Sequence, residues 1–249
     1  MPAKAKQQAA IIDVPKMVRE MAEYIMYGDS PLITNQPTDT SKNSIRSKQQ
    51  GWPKLAKSDR DVQGEYHQAT YWFPDGSFGI PAICIKKSMI EACRYVDGVA
   101  MAQTKGACFV QFDADDPLGA LVHIEGVRTC REDTVRLASG VMDLRYRPQF
   151  WPWKITATIN FNANVLNKEQ VLNLIQHAGF HVGIGDWRPQ GKTSTGTGQY
   201  GLFHVGTGAA DEKLFQKQMK DAVARVKKDG EIPLHYFTPP SQLTKKAAK

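Results

Sequence analysis

No stretch of the 249 residues approaches the run of about eighteen apolar positions that a membrane-crossing helix needs. The opening segment MPAKAKQQAA also lacks the apolar centre of a secretory signal, so the expected location is the cytoplasm, with no membrane partner. Cysteine is scarce. Cys84, Cys93, Cys108 and Cys130 form no C-x-x-C pair and stand at no zinc-ligand spacing from a histidine, so reduced, buried thiols are expected, with neither disulfide nor metal centre. Acidic residues are the minority charge: 25 Asp and Glu face 32 Lys and Arg, for a net charge of +7 and a pI near 9.2. A basic balance favours a polyanionic partner, because neutralising phosphates releases counterions and supplies affinity independent of sequence. The same charge also serves plain solubility.

At this length the chain builds one core, or one core with an appendage. The segment DVPKMVREMAEYIMYG sets Val14, Met17, Val18, Met21, Tyr24 and Ile25 on one helical stripe, with Asp13 to cap it and Gly28 to end it. Residues 29–64 are polar, with prolines at 31, 37 and 53, and read as a long loop or extended arm. Its lone Trp52 is either a plug into some surface or a stacking face. From Tyr66, two apolar runs flank a Pro-Asp-Gly turn. KKSMIEACRYVDG has helical spacing, with Ser88 as its cap, and ACFVQFDADDPLGALVHIEGV reads as two strands around a turn. In VMDLRYRPQFWPWKITATINFN, Ile155, Ala157, Ile159 and Phe161 alternate onto one face. NKEQVLNLIQHAGF is a helix capped by Asn167, with Val171, Leu174, Ile175 and Ala178 inward and Gly179 expected to break it. YGLFHV is a strand, and a last helix runs from Asp211 to Lys228.

The order strand, helix, strand, strand, helix, strand predicts an α+β, ferredoxin-like antiparallel sheet with two helices packed on one face. The expected divisions are an N-terminal helix and arm (1–64), the core (65–210), and a C-terminal helix with a basic tail (211–249).

The most distinctive feature is the glycine-rich loop at 181–201, with glycines at 183, 185, 191, 196, 198 and 201. It is not a P-loop. Gly185 and Gly191 are separated by five residues where G-x-x-x-x-G-K-S/T needs four, and the loop leads into a strand rather than opening a helix. No cofactor is expected. Many backbone N–H groups, Lys192, the hydroxyls of Thr193 and Ser194, Tyr200, and Arg188 beside Trp187 suit phosphates and unpaired bases. The plain alternative is a flexible connection with no ligand.

The helix EQVLNLIQHAGF, the stretch GIGDWRP and the GTGQYGLF that enters the strand resemble the RAMP superfamily, the ferredoxin-like RNA-binding proteins of CRISPR complexes. In that superfamily the loop after the second helix packs against RNA, so the resemblance implies an RNA-binding loop. The family's paired basic residues are thin here, with Arg188 and Lys192 at the loop's edges. The runs FPDGSFGIPAICIKKSMIEACRYVDG and REDTVRLASGVMDLRYRPQFWPWKITATINFN, with VGIGDWRP, also resemble a family of tailed-phage proteins. That resemblance spans roughly residues 66–205 and implies a phage origin, hence host cytoplasm during infection, but no chemistry.

Between residues 128 and 153, five arginines interleave with Tyr146, Phe150, Trp151 and Trp153. Arg145 and Arg147, on one face of a strand, either join a single-strand groove or pair with Glu132, Asp133 and Asp143 while the tryptophans fill the core. His177, His181 and His204 flank the loop and are the candidates for a metal-independent ribonuclease, but a satisfied or solvent-facing histidine is the reading favoured for each. FDADDPLG offers three acids for magnesium but is also ordinary turn chemistry. The leading expectation is a non-catalytic protein that binds single-stranded RNA in preference to DNA and assembles as a homo-oligomer. Arg145, Arg147, Trp187, Arg188, Lys192, Thr193, Ser194 and Tyr200 are its expected contacts. The alternatives are a virion or assembly protein and an endoribonuclease.

Overall fold

The computed structural model describes residues 14–53, 60–112, 120–136, 140–190, 198–233 and 236–237. Its organising element is β7 (Met142–Asn162), a 21-residue strand with neighbours along both edges. Ile155, Ala157, Ile159 and Phe161 are all buried on one face, as their alternation predicts. One edge pairs with β6 (Leu121–Arg136) and then β5 (Cys108–Val110); the other pairs with β1 (Arg19–Gly28) and β2 (Leu32–Ile33). With the hairpin β3 (Tyr71–Trp72) and β4 (Phe78–Pro81), and β8 (Phe203–Val205), the order is β3-β4-β6-β7-β1-β8. Every pairing is antiparallel.

β1 occupies the segment expected to be the N-terminal helix. The supposed stripe of Val14, Met17, Val18, Met21 and Ile25 is exposed, while Ala22, Tyr24 and Met26 alternate inward. The reason is tertiary: β7 supplies a nine-residue antiparallel register from Arg19↔Asn162 to Tyr27↔Lys154, and sheet burial overrides the local helical spacing. The first strand of the core therefore comes from residues 19–28, not from the 66–81 region.

Two helices cover the inner face. α3 (Ala82–Ala92) contributes Ile85, Met89 and Ala92, and α5 (Lys168–His177) contributes Val171, Leu174 and Ile175. Fully burying each large aliphatic chain stabilises the fold by about 1.5–3 kcal/mol. Asn167 caps α5 as expected, through a reciprocal box in which its side chain accepts the Gln170 N–H at 2.8 Å and Gln170 accepts the Asn167 N–H at 2.9 Å. Ser88, expected as a cap, lies inside α3, buried, and donates to the Ala178 carbonyl at 3.3 Å.

The arm is not merely extended. β2 is fully buried, α1 (Asp39–Gln50) is a capped helix with no buried residue, and α2 (Val62–Gln68) packs Val62 and Tyr66 against Cys130 and Tyr146. Trp52 is 60% exposed and is not buried among the described residues. The strands expected around Asp-Asp-Pro-Leu-Gly are β5 and β6, which pair with β7 rather than with each other; residues 113–119 lie outside the described residues. After α4 (Met101–Ala107), the sixth helix among the described residues is α6 (Ala209–Asp229), ending at Gly230 as expected. It crosses the outer face, setting Phe215 edge-on to Tyr27 and Glu212 3.1 Å from Lys154. No helix among the described residues is long and apolar enough to cross a membrane.

Candidate nucleic-acid interface

The glycine loop starts where α5 widens into a π-turn, Ala178–Val182. Gly179 does not break the helix. It lets the turn press against β8, since a Cβ there would run into the Phe203 carbonyl and ring. The wider winding stacks His181 on His177, with centroids 5.5 Å apart and planes within 9°. Tyr95, in the 3-10 turn that follows α3, also stacks on His181, at 4.4 Å and 11°. Phe180 meets His181 edge-on at 5.0 Å and is 75% exposed. The result is a ladder of three parallel rings with a fourth, solvent-facing ring at its side. The loop is tied to it: Gln190 Nε2 donates to the Tyr95 hydroxyl.

Past the ladder, the loop returns across its own base. Ile184 N–H donates to the Gly201 carbonyl at 2.9 Å, Gly201 N–H to the Pro31 carbonyl at 2.9 Å, and Asp186 N–H to the Ile33 carbonyl at 2.8 Å. Gly201 sits at φ +67° against the Ile184 carbonyl, a position that admits no Cβ. Trp187 holds φ +58° despite its side chain, a left-handed conformation that costs of order 1–3 kcal/mol and persists only where its surroundings impose it. Here they do: Tyr200 N–H donates to the Trp187 carbonyl at 3.3 Å, and Gly198 packs against that carbonyl.

The other side of the loop is anchored by charge. Asp133 on β6 accepts from Arg131 Nε and Arg147 Nη2, both at 2.7 Å, and Arg147 Nη1 donates to Asp186 at 3.0 Å. The Arg147 guanidinium also lies 5.7 Å from the Trp187 ring, and Arg131 stacks over Tyr200 at 4.7 Å while donating to its hydroxyl at 2.9 Å. Burial of Arg131 opposes its charge, but the Asp133 carboxylate outweighs that and raises its pKa.

The loop thus brings Trp187 to Arg147 and Tyr200 to Arg131. Arg147, an expected contact, has a side chain 6% exposed and lies between two carboxylates, tying the loop to the sheet in this structure. Arg145 is half-buried and loosely associated with Asp143 at 3.8 Å. Phe150 and Trp153 are buried, Trp153 donating to the Ser30 carbonyl at 2.7 Å. Arg128 pairs with Glu231 at 2.7 Å and stacks over Tyr66 and Trp72. For these residues the pairing network and aromatic core is what the structure holds, not a groove. Arg188 donates to the Gly185 carbonyl at 3.0 Å and stands 4.0 Å from Glu91. Lys192, Thr193 and Ser194 lie outside the described residues.

The three histidines do not converge. His204 contacts Asp29 at 2.7 Å and stacks on Tyr27, apart from the ladder. No cluster of metal-ligating side chains occurs among the described residues. Tyr95 and Phe180 had not been expected as site residues. The only signal in the sequence was the exposed-type aromatic inside AGFHV, beside two histidines four apart.

No protein-family model and no curated protein matches the chain. Among solved structures it is similar to Cmr6 from Pyrococcus furiosus, with 11% identity and a TM-score of 0.36, over 77% of this chain and all of that one. It is also similar to a chain of the type III-B Cmr-beta bound to cognate target RNA, with 10% identity and a TM-score of 0.38, over 74% of this chain and 59% of that one. Both scores lie below 0.5, so the functional reading below stands on this chain's own residues.

Proposed function

We propose that the protein binds single-stranded nucleic acid, RNA in preference to DNA, at the ring ladder and glycine loop, without cleaving it. The ladder of Tyr95, His181 and His177, with Phe180 beside it, carries this reading. Exposed, pre-ordered rings offer unpaired bases a stacking face, worth about 1–3 kcal/mol per base and indifferent to sequence. Tyr95 and Phe180 present the outer faces. Arg188, Lys192 and the hydroxyls of Thr193 and Ser194 supply phosphate contacts, and half-buried Arg145 adds a further charge beyond Arg147. Trp187 and Tyr200 hold the loop's shape. The succession β1-α3-β6-β7-α5-β8, with strand order β6-β7-β1-β8, supports a ferredoxin-like unit whose glycine loop follows the second helix, as in RAMP proteins.

The test is fluorescence anisotropy with labelled single-stranded RNA and DNA of one sequence, across a salt series. Tyr95→Ala and Phe180→Ala should each weaken binding by about 5- to 150-fold while leaving the salt slope unchanged. Arg188→Ala with Lys192→Ala should lower the slope by about one to two, at about 0.7 per phosphate on a single strand. RNA recovered intact after long incubation, with and without chelator, is the expected outcome of the cleavage control. Full affinity in both ring variants would remove the ladder from the interface. A wild type that binds neither strand would favour an assembly role instead.

A further inference from the structure

Among the described residues, β1 leaves part of one edge of the sheet unpaired. β8 pairs with β1 only from Met26 to Gly28, so between Arg19 and Glu23 the side of β1 turned away from β7 carries no strand among the described residues. Two bonds fix which backbone groups face that side. Ala163 N–H donates to the Val18 carbonyl, on the β7 side, and Gly206 N–H donates to the Ile25 carbonyl, on the other. Antiparallel alternation then directs the N–H and C=O of Arg19, Met21 and Glu23 away from β7, into the open edge. The neighbouring β8 edge is treated differently: the Gln176 amide donates to the Val205 carbonyl at 3.3 Å and accepts the Val205 N–H at 3.2 Å, closing it. An uncapped edge is a template for another strand.

The side chains along this edge say which strand fits. Met17, Arg19, Met21, Glu23 and Ile25 form one outward row, all exposed, with both methionines at 63%. The row runs apolar, positive, apolar, negative, apolar. Read backwards, it is the same pattern with the charges exchanged, so its best complement is itself.

We propose that β1 pairs antiparallel with β1 of a second copy, about a two-fold axis through Met21. In this register Met21 faces Met21 of the copy, Arg19 faces Glu23 of the copy and Glu23 faces Arg19 of the copy. Met17 lies beyond the paired stretch, because Gly206 already occupies that edge of Ile25. Each of the three central pairs is of the hydrogen-bonded kind, so each closes two backbone bonds and the two sheets become one. Charge selects the register. Sliding one way sets Glu20 against Glu20 of the copy; sliding the other sets Arg19 against Ile25 of the copy and leaves both charges unmatched. This inference is independent of nucleic-acid binding.

The full-length chain is tested by light scattering at micromolar concentrations, with circular dichroism as a folding control. Wild type should be a dimer. Arg19→Glu and Glu23→Arg each place like charges opposite one another twice across the axis, and each should raise the dimer dissociation constant by about ten-fold or more. The double variant R19E/E23R exchanges the charges and should restore the wild-type constant, a recovery that a purely structural defect would not give. A monomeric wild type overturns the proposal. If the Met21 and Glu23 amides are then protected from hydrogen exchange, the edge belongs to the chain's own residues 1–13. Failure of the double variant to recover also overturns the proposed register.

Discussion

Replacing Arg147 with Met, and separately Asp133 with Ala, separates anchoring from binding, because the two partners are unequally supported. In Arg147→Met, Asp133 keeps its 2.7 Å bond from Arg131, and Asp186, 41% exposed, rehydrates. What disappears is a pair of charge-assisted bonds, partly offset by a buried apolar chain of similar length, so the loss should be about 2–3 kcal/mol. In Asp133→Ala, both guanidinium bonds disappear, and Arg147 stays buried with only Asp186 opposite, its Nε already without a partner. Stranding a buried charge in this way costs about 3–5 kcal/mol. With a urea m value of about 3 kcal/mol/M, the midpoint should fall by about 0.7–1 M in the first variant and about 1–1.7 M in the second. Urea titration followed by tryptophan fluorescence measures both, provided m is unchanged. The salt slope of oligonucleotide binding should be the same in Arg147→Met as in wild type. Equal or reversed stability losses would refute the asymmetry of the network. A slope lowered by about 0.7 would return Arg147 to the phosphate contacts.

Two further outcomes follow from burial and charge. Hydrogen bonds from Gln216, Tyr27 and Lys154 hold the Glu212 carboxyl at about 2, below its ordinary 4.5. Its contribution to stability is therefore complete above pH 4.5 and is lost as pH falls through about 2, so the advantage of wild type over Glu212→Gln in thermal melts should shrink across that window and vanish below it. Burial pushes the Cys108 thiol up to about 11 and the Cys130 thiol up to about 12. At pH 8, iodoacetamide should spare both until the protein unfolds, as mass spectrometry of the labelled peptides would show; rapid native labelling of either would contradict their burial.

The parts of the fold that were legible in the sequence are those whose partners are nearby or whose pattern is unambiguous. β7 announced itself through the alternation from Ile155 to Phe161, and α5 through the box of Asn167 and Gln170. β1 did not, because Met17, Met21 and Ile25 satisfy helical spacing while Ala22, Tyr24 and Met26 satisfy strand spacing. Only β7, more than a hundred residues away, decides between them. The arginine-aromatic segment stayed open between groove and ion pairs for the same reason: the Asp186 that closes around Arg147 comes from the loop, 39 positions on. Of the ladder only the two histidines four apart, with Phe180 between them, were visible in the sequence, since Tyr95 meets His181 only after α3 and α5 have packed side by side on the sheet.

The π-turn makes the ladder a matter of chain length rather than of side-chain identity. Removing Ala178 or Gly179 would restore α-helical winding, shorten the spacing of the two histidines to three and turn His181 by about 100° relative to His177. His181 would leave the stack although no ring had been replaced, and Phe180 would turn with it. A single-codon insertion or deletion here can therefore create or abolish the stacking face in one step. Among related chains, the residue count between the α5 cap and the first loop glycine should separate those with the ladder from those without it.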